Sequence, residues 1–374
     1  MRMSFITRSV ALLAALALVA CSSGPSKPEP TPLTAITPGV SVAAVWQAQV
    51  GPGSALLRIG ASGERIAVAS VNGEVQVREA ASGELSWNLR LPQAIVTGVG
   101  FDGQRVAVVD ETNALVVVRD GQEAWRYPLQ ARTYTPPLVA GDRVFVLDAQ
   151  RQVRAFDADN GAPLWSAPYT GEALVLQAPG LLSAYGNSLL VGWGERLVGL
   201  QPDTGKPFWS AAITLPRGVN EIERLTDVVA GAHAARGLLC ARAFQAAVSC
   251  VDTQSGQRRW SQDSDGASGV IGDEDLVIGA DRSGRIQAWA LADGSPQWTQ
   301  DDLRYRDLSA PTLLGLSFAI GDAEGHVHWL SKSTGRILNR LPTDGTAVAA
   351  PPVLAAGTLV VQTLGGGLFA WQPQ

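Results

Sequence analysis

Histidine, cysteine and methionine are scarce in this 374-residue chain, at three, three and two copies. Without a Cys-x-x-Cys pair there is no zinc ribbon or dithiol motif to consider. Two of the three histidines fall in one run, residues 321–330 (GDAEGHVHWL), and no Gly-x-Ser-x-Gly elbow occurs, which leaves little from which to build an acid/base pair, and nothing positive points to an enzyme. After the first twenty residues no helical periodicity longer than about ten residues stands out, which leaves an all-β chain. Basic residues are outnumbered, 29 against 34, and a net charge of −5 argues against nucleic acid as a partner.

Glycine and tryptophan, by contrast, are plentiful, at 40 and 11. They recur together four residues apart, as Gly83/Trp87, Gly121/Trp125, Gly161/Trp165, Gly205/Trp209, Gly256/Trp260 and Gly294/Trp298, with Gly335/Asn339 as a worn copy. Successive glycines are separated by 38, 40, 44, 51, 38 and 41 residues, the period of four short strands per propeller blade. Residues 143–165 (RVFVLDAQRQVRAFDADNGAPLW) and 276–298 (LVIGADRSGRIQAWALADGSPQW) share one grammar: β-rich run, polar turn, alternating run, Asn/Asp-Gly turn, tryptophan. Glycine admits the positive φ of a tight hairpin, and the polar residue before it bonds to the turned backbone. The tryptophan then arrives at fixed register on an outer strand. Burying it between neighbours removes roughly 150–250 Å² from water, about 4–6 kcal/mol gross.

The ends give the count. Residues 358–374 (TLVVQTLGGGLFAWQPQ) supply inner strands but no outer Gly-x-x-x-Trp strand, and Trp46, in residues 42–50 (VAAVWQAQV), lies 41 residues before Trp87. An N-terminal strand that completes the last blade closes the ring and removes open edges. The expectation is an all-β, eight-bladed β-propeller of four-stranded antiparallel blades over residues 39–374. The blade at Asn339, next to the closure, is expected to be the least tightly held.

The first residues follow another grammar. Arg2 and Arg8, an apolar stretch over residues 10–20 and Leu18-Val19-Ala20-Cys21 describe a bacterial lipoprotein signal peptide over residues 1–20, too short and wrongly flanked for a membrane span. Cleavage would leave Cys21 as the lipid-bearing first residue. The departing segment holds two arginines and no acid, which takes the net charge from −5 to −7. Residues 21–38, rich in Pro, Ser and Thr, are expected to form a flexible tether. Ser22, rather than an aspartate, follows the cysteine; under the sorting rule of Gram-negative lipoproteins, which this segment resembles, that implies the outer membrane, facing the periplasm.

Export changes how the other cysteines read. Cys240 and Cys250 flank the run LLCARAFQAAVSC symmetrically about Gln245, so an antiparallel ladder would set them opposite one another, as a cross-strand disulfide or as two small buried hydrophobes. The run Gly98-Val99-Gly100-Phe101-Asp102-Gly103 spells the dinucleotide fingerprint, but a strand (RVAVVD, residues 105–110) follows where a helix N-terminus is needed. His326 and His328 share a strand face after Asp322 and Glu324, lack a third ligand, and read as structural. Neither Asp263/Asp265 nor Asp273/Asp275 has the downstream bidentate glutamate of a calcium loop. No cofactor and no metal are expected.

With chemistry absent, the stretched intervals mark function. The two longest, 44 and 51 residues, are adjacent. The first holds residues 169–179 (YTGEALVLQAP), where Leu174 and Leu176 alternate; the second holds residues 213–231 (ITLPRGVNEIERLTDVVAG), with Glu221, Glu223, Arg224 and Asp227. Rigid scaffolds position such loops, and an apolar patch beside a charged one is a common composition for a protein interface.

At residues 220–228 (NEIERLTDV), 302–311 (DLRYRDLSAP) and above all 321–330, the chain resembles the outer membrane protein assembly factor BamB family, lipoproteins of the β-barrel assembly machinery. With the lipobox, the PQQ-like repeats and the terminal closure, the resemblance covers essentially the whole chain. It implies a non-enzymatic eight-bladed propeller that scaffolds the barrel-inserting subunit BamA by contacting its periplasmic POTRA domains through the two stretched loops. Matched by motif, the partner-binding residues it implies are Leu174, Leu176 and Gln177 on the apolar loop and Asp227 on the charged one. Nascent β-barrel chains are a further partner it allows. Two departures stand out: Gln177 where the family usually has arginine, and Asp227-Val228-Val229 for its Asp-Val-Asp. PQQ-dependent dehydrogenases share the repeat, but the adjacent-cysteine disulfide and calcium-ligating set of that class are lacking. A free-standing periplasmic binding module for unfolded strands is the other alternative.

Overall fold

Among the described residues thirty-two strands gather into eight four-stranded antiparallel sheets arranged as an eight-bladed β-propeller. The computed structural model describes residues 28–169, 171, 174–215, 219 and 225–374. Cys21, and Glu221, Glu223 and Arg224 of the charged loop, lie outside them. Blades 1 to 7 are continuous in sequence, at residues 60–90, 95–128, 138–167, 182–212, 233–263, 271–300 and 312–342. Blade 8 joins Val353–Ala355, Thr358–Gln362 and Gly367–Pro373 to the N-terminal strand Val42–Gln49. The register runs from Val42↔Pro373 to Gln49↔Gly367, so the ring is closed by the chain's first and last strands.

Burial explains the two kinds of strand. Arg105–Asp110, the second strand of blade 2, is buried along its whole length, whereas Leu85–Arg90, an outer strand, is mostly exposed. Strands covered on both faces read as unbroken apolar runs, and those covered on one face alternate. The core lies in the seams: Val75 and Val77 of blade 1 pack with Val106 and Val108 of blade 2.

The repeat acts across these seams. Five of the tryptophans cover the glycine turn of the next blade: Trp46 covers Gly83, Trp125 Gly161, Trp165 Gly205, Trp260 Gly294 and Trp298 Gly335. A Cβ at those glycines would lie 2.4–2.6 Å from the ring. The same five indole N–H groups donate to Ala80, Ala158, Pro202, Leu291 and Lys332 carbonyls of that turn at 2.7–2.9 Å. Trp87 sits more loosely, 3.5 Å from a Cβ at Gly121. Trp209 departs altogether. It lies over its own cross-strand partner Gly199, and Gly256 has only the Ser210 carbonyl oxygen, at 3.7 Å.

Two expectations are corrected here. Asn339 does not mark wear. The next blade is where the two chain ends meet, so it offers no glycine turn for a ring to cover; instead Asn339 Nδ2 donates to the Val40 carbonyl at 3.0 Å and Gly39 N to Leu338 O at 2.7 Å. Nor does a free tether extend to Pro38. Thr31 N donates to Arg304 O at 3.0 Å, Arg306 and Arg340 donate to the carbonyls of Thr31 and Thr34 at 2.9 and 3.0 Å, and Leu33 packs on the core between blades 6 and 7. A proline-rich segment has few N–H groups but keeps every carbonyl, so guanidinium donors suit it.

Candidate functional site

Loops between blades and turns between each blade's second and third strands emerge on one face of the ring; the Gly-Trp turns emerge on the other. Both stretched loops belong to the first face. There the chain from Pro179 to Leu181 lies antiparallel to Val228–Ala230: Gly180 pairs Val229, Ala230 N donates to Pro179 O at 2.9 Å, and Leu181 N to Val228 O at 3.2 Å. Val228 N donates to Gly194 O at 2.8 Å, and Phe244 N to Asp227 O at 2.9 Å. The second loop is thereby wedged between blades 4 and 5. Val229, one of the departures from the family pattern, is 2% exposed, and its side chain is a wall of this wedge.

Asp227 is at the centre. One carboxylate oxygen accepts from the Arg151 guanidinium at 2.5 Å and the other from Leu176 N at 2.9 Å. Arg151 also donates to Leu174 O at 2.7 Å and lies over the Tyr169 ring, 5.1 Å from its centroid; Tyr169 in turn tilts against Trp193 at 5.9 Å. Both charged side chains are largely covered, 8% and 14% exposed. The carboxylate of Asp227 is thus spent on holding the apolar loop, while Leu174 and Gln177 are exposed and Leu176 is half-covered.

Arg151 is absent from the sequence-based candidates, and its backbone is what distinguishes it. In the turn between second and third strands, successive blades place Gly73, Asn113, Arg151, Gly194, Gln245, Gly284, Gly325 and Gly366 at positive φ. An arginine at φ 58° costs roughly 1–2 kcal/mol of backbone strain, and such strain collects at functional positions. Leu215 and Val219, 65% and 91% exposed on the second loop, were also missed.

The remaining candidates have structural surroundings. Asp322, fully buried, accepts from Arg306 Nε at 2.8 Å, His328 Nε2 at 2.9 Å and the His326 amide at 2.8 Å; Arg306 also pairs with Glu324. Burial pushes the Asp322 carboxyl up, yet these donors hold it well below the usual carboxylate range; burial pushes the His328 imidazole down against the pull of Asp322. The cluster is a strut under the N-terminal segment, and no grouping of three metal-ligating side chains occurs among the described residues. The fingerprint-like run ends in a hairpin, where Asp102 Oδ1 accepts from Gln104 N and Arg105 N. Cys240 and Cys250 are register partners in blade 5, fully buried and joined in a disulfide.

Comparison with known proteins agrees with this architecture. A family model described as outer membrane protein assembly factor BamB matches residues 93–300. A protein of that name from Burkholderia pseudomallei is 36% identical, over 96% of this chain and 96% of its own, and one from Bordetella pertussis is 35% identical over 96% and 95%. The crystal structure of BamB from Moraxella catarrhalis superposes with a TM-score of 0.80 at 24% identity, covering 89% of this chain and all of that one. The chain belongs to the outer membrane protein assembly factor BamB family.

Proposed function

We propose that this chain is a non-enzymatic scaffold subunit of the outer-membrane β-barrel assembly machinery. It is anchored by a lipid on Cys21, faces the periplasm, and binds the POTRA domains of BamA to assist barrel insertion. The observation that carries this reading is the clamp: Arg151 and Asp227 bind the two stretched loops into one surface, with Leu174 and Gln177 outward and Leu176 at its edge. A rigid apolar centre with a polar rim is what a protein partner recognises. Leu174, Leu176 and Gln177 are the contacting residues in this reading, and Asp227 is a positioning residue.

The test is copurification from membranes. Leu176→Asp places a charge beside the exposed Leu174 and is expected to abolish recovery of BamA with this protein, while the monomer's melting temperature is kept; undiminished recovery sinks the assignment. Turnover of an alcohol by the purified protein supplied with quinone and calcium would overturn the non-enzymatic reading. In-cell crosslinking from the loops is expected to give one dominant adduct with a large outer-membrane subunit, where a free-standing binding module gives many.

A further inference from the structure

The N-terminal segment fixes more than closure. Pro28 stands at the rim of the central cavity, about 640 Å³ in volume, together with Pro179 and Val229 of the docking loops and Asp265, Asp307 and Pro351 of others. From there the chain runs outward over blades 6 and 7, held at Thr31, Leu33 and Thr34 before it enters the closing strand at Val42. The described chain therefore leaves the propeller through the cavity mouth, on the same face as the two docking loops.

We propose that this face is the one held toward the outer-membrane bilayer, and that the strap of residues 28–40 sets the orientation. The inference rests on the lipid at Cys21. Only seven steps separate Cys21 from Pro28, a reach of about 25 Å when fully extended. A free tether running to Pro38 would reach roughly 60 Å, more than twice as far, and would let the propeller turn over. Latched at Thr31 and Thr34, the chain keeps the cavity mouth near the membrane, and a partner seated on Leu174 and Leu176 docks on the membrane-facing side. The latch has chemistry suited to permanence: Arg306, whose guanidinium reaches the Thr31 carbonyl, is itself 2% exposed and fixed by Asp322.

The experiment uses the full-length lipoprotein in liposomes whose headgroups carry an energy-transfer acceptor. Ala267→Cys, on the cavity rim, and Asn187→Cys, in a turn of the opposite face, each accept one donor fluorophore, since Cys240 and Cys250 are bonded to each other. With about 20 Å of strand between the faces, transfer from position 267 is expected to exceed that from 187 by roughly twofold or more. Leu33→Ser combined with Arg340→Ala, which loosens the latch, is expected to shrink the contrast. Flotation with equal or reversed transfer overturns the orientation alone. Failure of the protein to float with the vesicles overturns the lipid anchor, and the orientation falls with it.

Discussion

Arg151 is held in left-handed backbone by what its guanidinium gains: the Asp227 carboxylate, the Leu174 carbonyl and the Tyr169 ring. Removing Asp227 takes from a covered guanidinium its carboxylate partner and leaves the Leu176 amide without its acceptor, a change of the kind that costs several kcal/mol. Asp227→Ala is therefore expected to speed hydrogen exchange at the Leu176 amide about tenfold or more, equivalent to about 1.4 kcal/mol of lost protection; an unchanged rate means the clamp contributes nothing. A second residue-scale prediction concerns pH. His328 and Asp322 both have folded values below their unfolded ones, so the stability they contribute is present above the unfolded value and lost as pH falls. His328's share fades first, as pH drops through about 6.5, and Asp322's only below about 3.9. The melting temperature is expected to decline between about pH 7 and 5, and less steeply in His328→Gln; parallel declines would show that another group is responsible. The loop that carries Leu174 and Leu176 stands out in the sequence because the glycine spacing stretches to 44 residues there. Arg151 does not, because its role depends on a carboxylate 76 positions away that only the fold brings near.

At the scale of the element, the seam is the unit, and its strength varies around the ring. Gly205 and Gly256 have nearly the same backbone, φ 70° and 68°, but only Gly205 lies under a ring. Alanine at either pays the left-handed penalty, roughly 1–2 kcal/mol; at Gly205 it also collides with Trp165, adding about 1–3 kcal/mol of overpacking. Denaturant unfolding should show Gly205→Ala as clearly the worse variant, and equal losses would mean that the tryptophan cover does not matter. The sequence showed that glycine and tryptophan keep step, since hairpin chemistry is local. It pointed to rings buried between neighbouring blades, but not to the glycine turn as what they cover, nor to Trp209 turning back over Gly199. That choice is made by side-chain packing around a position where the cross-strand partner happens to have no Cβ. Besides the joint at Asn339, the seam that lacks its ring cover lies between blades 4 and 5, where the second docking loop is wedged.

For the whole molecule, Val42–Gln49 does two things: it completes blade 8 and carries Trp46 onto blade 1. A chain starting at Pro28 is expected to melt at the same temperature as one starting at Cys21, whereas one starting after Gln49 exposes the edge of Gly367–Pro373 and should lose cooperative unfolding by circular dichroism. A sharp, unshifted transition in the shorter protein would show that closure is dispensable. The joint also imposes an order on manufacture. Blades 1 to 7 are each contiguous and can stack as the polypeptide emerges, but Val42 must wait for Pro373, 331 positions later, and such distant pairings form slowly. Throughout that wait the first of the described strands stays unmated. Sealing the ring is then the final act of folding.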